Sequence, residues 1–315
     1  MRWKSTLNKL LMQHNKKVSA GGRTCSFATQ AMRREVLEQG FALLRTLGYK
    51  LPDVRGFKER HMKALGYAWE KNGLSPSTLQ NRFSIFRTFA TWIGKKGMIQ
   101  GNERYVQNPQ SVVRHLVTQT DKTWSGQKKS LEEKLPFIRD KDVFVAMQLE
   151  LQRAFGLRMK EAALLRPHQA DKGVYLLVNW GTKGRRDRIV PIETDYQRDV
   201  LERAKYLLPL MHSSMIPTPY NFRQWRDHYY YICQERGISR KDGITSHGLR
   251  HERLNEIYQQ ITGQASPVKQ PTINAAKVHP DLDKLARQEI AEVAGHGRAA
   301  ISSAYCGSLV STRSK

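Results

Sequence analysis

Apolar residues recur at helical spacing through most of the chain and at strand spacing in one short stretch. Residues 1–22 show little order of this kind and read as a loose basic tail that runs out through SAGGRT. Three helical patterns follow, over about 28–49, about 55–73 and the segment SPSTLQNRFSIFRTFATWIGKKG. The last opens on a Ser-Pro start signal and puts Leu79, Phe83, Phe86, Phe89 and Trp92 near helical spacing, which predicts core packing of the aromatic stripe. Between these apolar positions lie Arg82, Arg87, Lys95 and Lys96, suited to phosphates. GNERYVQNPQ and TQTDKTWSGQKKS break the periodicity and place an interdomain linker near 118–130.

Beyond the linker, DKDVFVAMQLELQRAFGL predicts a helix, and RMKEAALLRP continues or restarts one. GVYLLVNWGTKGRRDRIVPI is two β runs around a glycine-containing turn, hence a hairpin. Helices are expected at about 194–208, 221–236, 246–261 and 284–294. The organisation that results is a basic flexible tail (1–22), a helical module (23–125) and a second domain (130–315) that is mainly α with a small β-sheet. The stretch 263–283 reads as an inserted loop.

A length of 315 residues with 39% hydrophobic content agrees with two domains. The charge is lopsided: 53 Lys and Arg against 28 Asp and Glu give a net +25, of which +17 falls in residues 1–130. Such a surplus favours a polyanion, most commonly nucleic acid. An anionic membrane surface would call for a strongly amphipathic basic helix with an aromatic face, and none is evident. No apolar run is long enough to span a bilayer, and MRWKSTLNKLLMQHNKK lacks a signal-peptide core. That segment could pass for a basic presequence, except that His and Asn interrupt its apolar face. Cys25, Cys233 and Cys306 are odd in number and far apart, which fits a reducing cytosol better than a disulfide framework. With no zinc-finger spacing, P-loop or HExxH, neither a metal nor a cofactor is expected.

Four separated strings carry chemistry. GLRMKEAALL sets Arg158 and Glu161 at i and i+3; GTKGRRDRIVP holds Lys183 in the hairpin turn; TSHGLRHERL sets His247 and Arg250 at i and i+3; VAGHGRAAISSAYCG holds His296 and Tyr305. Each alone could be an ordinary ion pair, loop lysine or surface histidine. On one continuous helix His296 and Tyr305 would lie on opposite sides, roughly 13 Å apart along the axis. If they share a site, the helix must break between them, and Gly295 and Gly297 are where it could. Together, two arginines, two histidines, a lysine and a tyrosine suit metal-free phosphoryl transfer. Guanidinium forks hold non-bridging oxygens, a tyrosine can attack phosphorus, and lysine or histidine can protonate the leaving oxygen.

In this order the set Arg158, Glu161, Lys183, His247, Arg250, His296, Tyr305 resembles the active site of the tyrosine recombinase (phage integrase) family. The likeness covers roughly residues 130–310, and the basic helical module resembles the family's core-binding, SAM-like domain. Ala294 departs from the family's usual leucine, the segment from Arg250 to His296 is longer than is common, and ten residues follow Tyr305, so any docking tail would be short. The resemblance implies that Tyr305 forms a 3′-phosphotyrosine on DNA without metal or ATP. It gives Arg158 and Arg250 the scissile phosphate, His247 proton transfer at the tyrosine, Lys183 the leaving oxygen, His296 a further phosphate contact and Glu161 a supporting role. Arg185, Arg186 and Arg188 would add DNA contacts. It further implies double-stranded DNA attachment sites, a homotetramer on paired sites, DNA-bending or directionality factors, a nucleoid-associated cytoplasmic protein, and integration of a mobile element. A type IB topoisomerase, a chromosome-dimer-resolving recombinase and a non-enzymatic DNA-binding protein are the alternatives.

Overall fold

The computed structural model describes residues 2–17, 24–182, 184, 186–208, 213–270 and 278–309. Lys183 and Arg185 lie outside the described residues. The chain divides into two compact units, Met1–His115 and Leu116–Lys315.

The first unit is helical, with α1 (Arg2–His14), α2 (Phe27–Thr46), α3 (Glu59–Lys71) and α4 (Pro76–Trp92). Ser26 caps α2 through Thr29 N, and Ser75 caps α4 through Thr78 N with Pro76 at the first helical position. The aromatic stripe of α4 is core: Leu79, Phe83, Phe86 and Phe89 are fully buried, with Phe41, Phe57 and Trp69 packed against them. Phe41 and Phe89 meet edge to face at 5.2 Å.

Residues 2–14 are not a loose tail. Trp3, Leu7, Leu10 and Leu11 stand at helical spacing, all four are buried, and Trp3 meets Phe41 at 6.1 Å. A helix this short is marginal alone, so its packing on the α2 core is what holds it.

The second unit holds α5 (Leu131–Lys141), α6 (Val143–Phe155), α7 (Met159–Leu164), α8 (Pro167–Ala170), β1 (Tyr175–Val178), β2 (Arg188–Pro191), α9 (Asp195–Leu207), α10 (Phe222–Glu235), α11 (Ser246–Thr262), α12 (Pro280–Val293) and α13 (Ser303–Cys306). Asp142 ends α5 and caps α6 with hydrogen bonds to Phe144 N and Val145 N, so the predicted helix begins there. α6 is buried nearly all round, its Gln148, Glu150 and Gln152 included, and joins two cores. Leu149 faces Trp225, Tyr229 and Leu249, while Leu151 and Phe155 face Leu254, Tyr258 and Ile290. The hairpin forms as expected, β1 antiparallel to β2 with Tyr175 opposite Pro191 and Val178 opposite Arg188.

The boundary differs from the sequence reading. Residues 116–130 do not link the units but belong to the second. Trp124 is buried and donates Nε1–H to Thr245 O at 2.8 Å, and Thr118 N bonds Ser303 O at 3.0 Å. Ser125 bonds both carboxylate oxygens of Glu252, at 3.0 and 2.6 Å. The expected insertion is also shorter as a loop, because α12 starts at Pro280 and Ser266 and Val268 are buried beside the last helix. Val268 N bonds Cys306 O at 3.0 Å.

Candidate active site

Five of the seven expected catalytic residues converge at one place in the second unit: Arg158, His247, Arg250, His296 and Tyr305. A sixth, Glu161, lies beneath them. Lys183 lies outside the described residues, so its placement stays an expectation.

Gly156 ends α6 in a left-handed conformation (φ 62°), and Arg158 then caps α7. Glu161, at the third position of α7, reaches back to Arg158 N at 2.7 Å and to Arg158 Nη1 at 2.6 Å. This is a capping arrangement rather than the i,i+3 pair on a helix face that the sequence suggested. Glu161 is fully buried and also takes two hydrogen bonds from Arg188, at 2.6 and 2.9 Å. Burial alone would raise its pKa. The Arg188 hydrogen bond and charge, then Arg158, outweigh that and hold it at about 2.

α11 carries Arg250 inward. Its guanidinium is fully buried, donating Nη1–H to Gly156 O at 2.5 Å, Nη2–H to Ala294 O at 2.7 Å and Nε–H to Tyr305 Oη at 3.3 Å. Arg158 Nη2 donates to the same Ala294 carbonyl at 2.9 Å, so one backbone oxygen registers both arginines. Burial first, with the like charges of Arg158 and Arg188, lowers the Arg250 pKa to about 10, which still leaves it charged at neutral pH.

The helix ends before His296 rather than between it and Tyr305: α12 stops at Val293, and Gly295 just after it is in the left-handed region (φ 65°). Gly297 is not left-handed; a side chain there would instead meet the Arg186 guanidinium. His296 and Tyr305 thus stand on separate segments and converge, with His296 Nε2 3.2 Å from Tyr305 Oη. Arg158 Nη2 lies 3.5 Å from that same nitrogen. Arginine can only donate, so the tautomer with Nε2 unprotonated is the one that could also take a hydrogen bond from the tyrosine hydroxyl.

His247 keeps an exposed face, and its ring centroid lies 6.2 Å from that of Tyr305. The protein around it, then the charges of Arg250, Arg158 and Lys122, lower its pKa to about 4, with water on its open face screening part of that repulsion. Three contributors escaped the sequence reading, the His251 ring and two backbone carbonyls. His251 is buried, with its ring 4.9 Å from the Tyr305 ring and a pKa lowered to about 3, by burial first and then by His247 and Lys122. Its place four residues after His247 on one helix was the available signal. The carbonyls of Gly156 and Ala294 had none, since backbone oxygens carry no sequence identity.

The expected DNA contacts fare unevenly. Arg188 is corrected: its side chain is 4% exposed and bound to Glu161, so it cannot reach a phosphate at the surface. Arg186 is exposed beside Gly297. In the first unit Arg87 binds the carbonyls of Ile99 and Gln100 and the Asn102 side chain, and Lys95 Nζ clips Arg55 O and Phe57 O at 2.7 and 2.8 Å. Both tie loops to helices, a role the sequence reading lacked. Arg82 lies over the Trp69 ring at 5.2 Å and bonds Gln39, while Lys96 is exposed. Among the described residues no group of three or more His, Cys, Asp or Glu side chains could hold a metal, and no helix is long and apolar enough to cross a membrane.

A helical first unit precedes a mixed second unit whose centre gathers arginines, histidines and one tyrosine, groups able to hold a phosphate and to attack it. Two family models match the chain, phage integrase N-terminal over residues 7–99 and integrase over residues 117–252. Tyrosine recombinase XerC of Proteus mirabilis is 30% identical over 139 residues, 43% of this chain and 42% of that protein, so the match spans less than half of that relative's length. Among solved structures, a lambda integrase dimer bound to a COC′ core site aligns over 98% of both chains at 13% identity and a TM-score of 0.57. The Tn1549 transposon integrase in complex with transposon right end DNA covers 94% of this chain and 93% of its own, at 13% identity and a TM-score of 0.56. XerH site-specific recombinase bound to palindromic difH substrate covers 87% and 74%, at 17% identity and a TM-score of 0.52. These structural likenesses are of fold. The chain belongs to the tyrosine recombinase (phage integrase) family.

Proposed function

We propose that this protein is a site-specific DNA recombinase that integrates a mobile element, cutting and rejoining strands through a 3′-phosphotyrosine at Tyr305. The observation that carries the reading is the Tyr305 hydroxyl, held between Arg250 Nε at 3.3 Å and His296 Nε2 at 3.2 Å. Arg250 donates to the oxygen while His296 stands ready to accept its proton, an arrangement that favours phenolate attack on phosphorus. The Tyr305 oxygen forms the new P–O bond as the 5′ oxygen leaves and takes a proton. A second strand's 5′-hydroxyl reverses these steps, so phosphodiester bond energy is conserved.

Arg158, whose side chain keeps 23% exposure, stabilises the negative charge on the non-bridging oxygens, and Arg250, buried behind the Tyr305 hydroxyl, joins it once that hydroxyl moves to the phosphate. His247 was the sequence's candidate for the tyrosine proton. His296 is the imidazole in contact with the hydroxyl, which leaves His247, with its open face, better placed beside the phosphate. Lys183 remains the proposed acid for the leaving oxygen. DNA attachment sites as substrate, assembly as a tetramer on paired sites, and helper proteins that bend DNA or set direction are parts of the same proposal. The net +15 of residues 1–115, 21 Lys and Arg against 6 Asp and Glu, supports a DNA-gripping first unit.

The test uses duplexes drawn from the DNA flanking this protein's own gene, with a bridging 5′ sulfur to trap the covalent species. Wild type should form an SDS-resistant adduct, and Tyr305→Phe should bind with unchanged affinity and form none. Absence of adduct from wild type on every such duplex, or its persistence in Tyr305→Phe, refutes the proposal.

A further inference from the structure

α13 is only 4 residues long, too short to satisfy its own carbonyls, and the chain around Tyr305 is held from outside. Thr118 N donates to Ser303 O at 3.0 Å, Val268 N to Cys306 O at 3.0 Å and Arg287 Nη1 to Gly307 O at 3.1 Å. The carbonyl of Tyr305 itself takes a side chain, Asn255 Nδ2, which donates to it at 3.3 Å. Asn255 is buried on α11, and both ends of its amide are engaged. Nδ2 also donates to His251 O at 2.7 Å, and the amide oxygen accepts from the hydroxyl of Ser266, itself fully buried. Ser266 thereby fixes which edge of the amide faces Tyr305. α11 grips the tyrosine at both ends, with Arg250 Nε at the hydroxyl (3.3 Å) and Asn255 at the carbonyl. The two grips stand on one continuous helix, about 7.5 Å apart along its axis.

We propose that Asn255, oriented by Ser266, is a positioning residue for the nucleophile, anchoring the Tyr305 backbone so that the hydroxyl stays between Arg250 and His296. This rests on the recombinase reading. Both side chains are buried, so neither reaches DNA, and their effect is on the aim of Tyr305. With the carbonyl released, the tyrosine is held at its hydroxyl end alone, and the attacking oxygen loses its alignment with phosphorus.

The experiment compares full-length wild type, Asn255→Leu and Ser266→Ala for DNA affinity, thermal unfolding and single-turnover cleavage of a 5′-sulfur-bridged duplex, which traps the adduct. With trapping, the amplitude counts the folded, competent molecules and the rate constant reads the geometry of attack. Asn255→Leu, similar in size but without polar atoms, should lower the rate constant about 100-fold, and Ser266→Ala about 10-fold, both with wild-type affinity and amplitude. If Asn255→Leu unfolds, Ser266→Ala, which removes a single hydroxyl, carries the test. A wild-type rate constant in either folded variant overturns the proposal. A loss confined to amplitude also overturns it, by showing that the pair serves folding alone. Failure of wild type to form any adduct would instead strike the recombinase reading, so the two failures are distinguishable.

Discussion

Gly295 and Gly297 flank His296, yet replacing each with alanine should have very different consequences. At Gly295 the backbone is left-handed (φ 65°), which costs an L-residue about 1–2 kcal/mol. The added methyl would also sit 3.1 Å from Arg188 Cδ. Arg188 cannot swing aside because its guanidinium is held at both nitrogens by Glu161, so overpacking adds about 1–3 kcal/mol. The sum, about 2–5 kcal/mol, should lower the unfolding midpoint of a unit this size by roughly 4–20 °C. Cleavage should suffer further, because His296 N bonds Ala291 O at 2.8 Å across this turn and would shift with it. At Gly297 the backbone is not left-handed, and the methyl would meet only Arg186 Nη1, at 2.8 Å, the free end of an exposed side chain. Rotation of that end relieves the contact, leaving a change within about 0.5 kcal/mol. Thermal unfolding and adduct formation measured side by side decide the matter. Equal midpoints for the two variants would refute the claim that the hinge is at Gly295.

The remaining predictions concern the buried carboxylate and the unit boundary. Glu161 has its pKa depressed from 4.5 to about 2, so its contribution is fully present above about pH 4.5 and is lost as pH falls towards 2. Glu161→Gln should therefore lose about 3 kcal/mol at neutral pH, and the gap to wild type in urea unfolding should narrow below pH 4.5; a gap constant with pH would show the charge to be immaterial. Trp124→Ala should cost the second unit about 3–5 kcal/mol, since it empties a buried site and leaves Thr245 O without its donor. A change within about 0.5 kcal/mol would return residues 116–130 to the status of a linker.

Much of the fold was legible because its signals are periodic. The stripe from Leu79 to Phe89 and the alternation around the GTKG turn translate directly into a buried helix face and a two-stranded ribbon. What escaped notice did so for physical reasons. The segment 2–14 is crowded with basic residues, so its four buried positions, Trp3, Leu7, Leu10 and Leu11, were read as part of a charged tail. α5 contains Pro136 and ends against the start of α6, which hid it as a separate helix ahead of the one read from residue 140. Residues 116–130 look like loop because they form little regular structure, but the burial of Trp124 comes from a partner 121 residues away. Long-range pairing of that kind leaves no local period.

The site was legible to the extent that its chemistry sits in side chains, and the electrostatics explain why the rest was not. Arg158, Arg188 and Arg250 crowd around the single carboxylate of Glu161, which lies 2.6 Å from the first two and 3.9 Å from the third. Three positive charges against one leave the centre with a surplus of two, and the depressed pKa values of His247 and His251 keep those rings from adding more at neutral pH. Burying such a surplus is costly unless an anion completes it. A phosphodiester supplies one negative charge in its ground state and gathers a second as the new bond to phosphorus forms. On the recombinase reading the surplus of two therefore matches the transition state more closely than the bound DNA, which is the condition for an interaction to speed the reaction instead of merely tightening binding. The sequence reading gave three arginines near the hairpin, Arg185, Arg186 and Arg188, to DNA. The buried geometry assigns one of them, Arg188, to the carboxylate, and it is this internal pairing, invisible in composition, that sets the net charge offered to DNA.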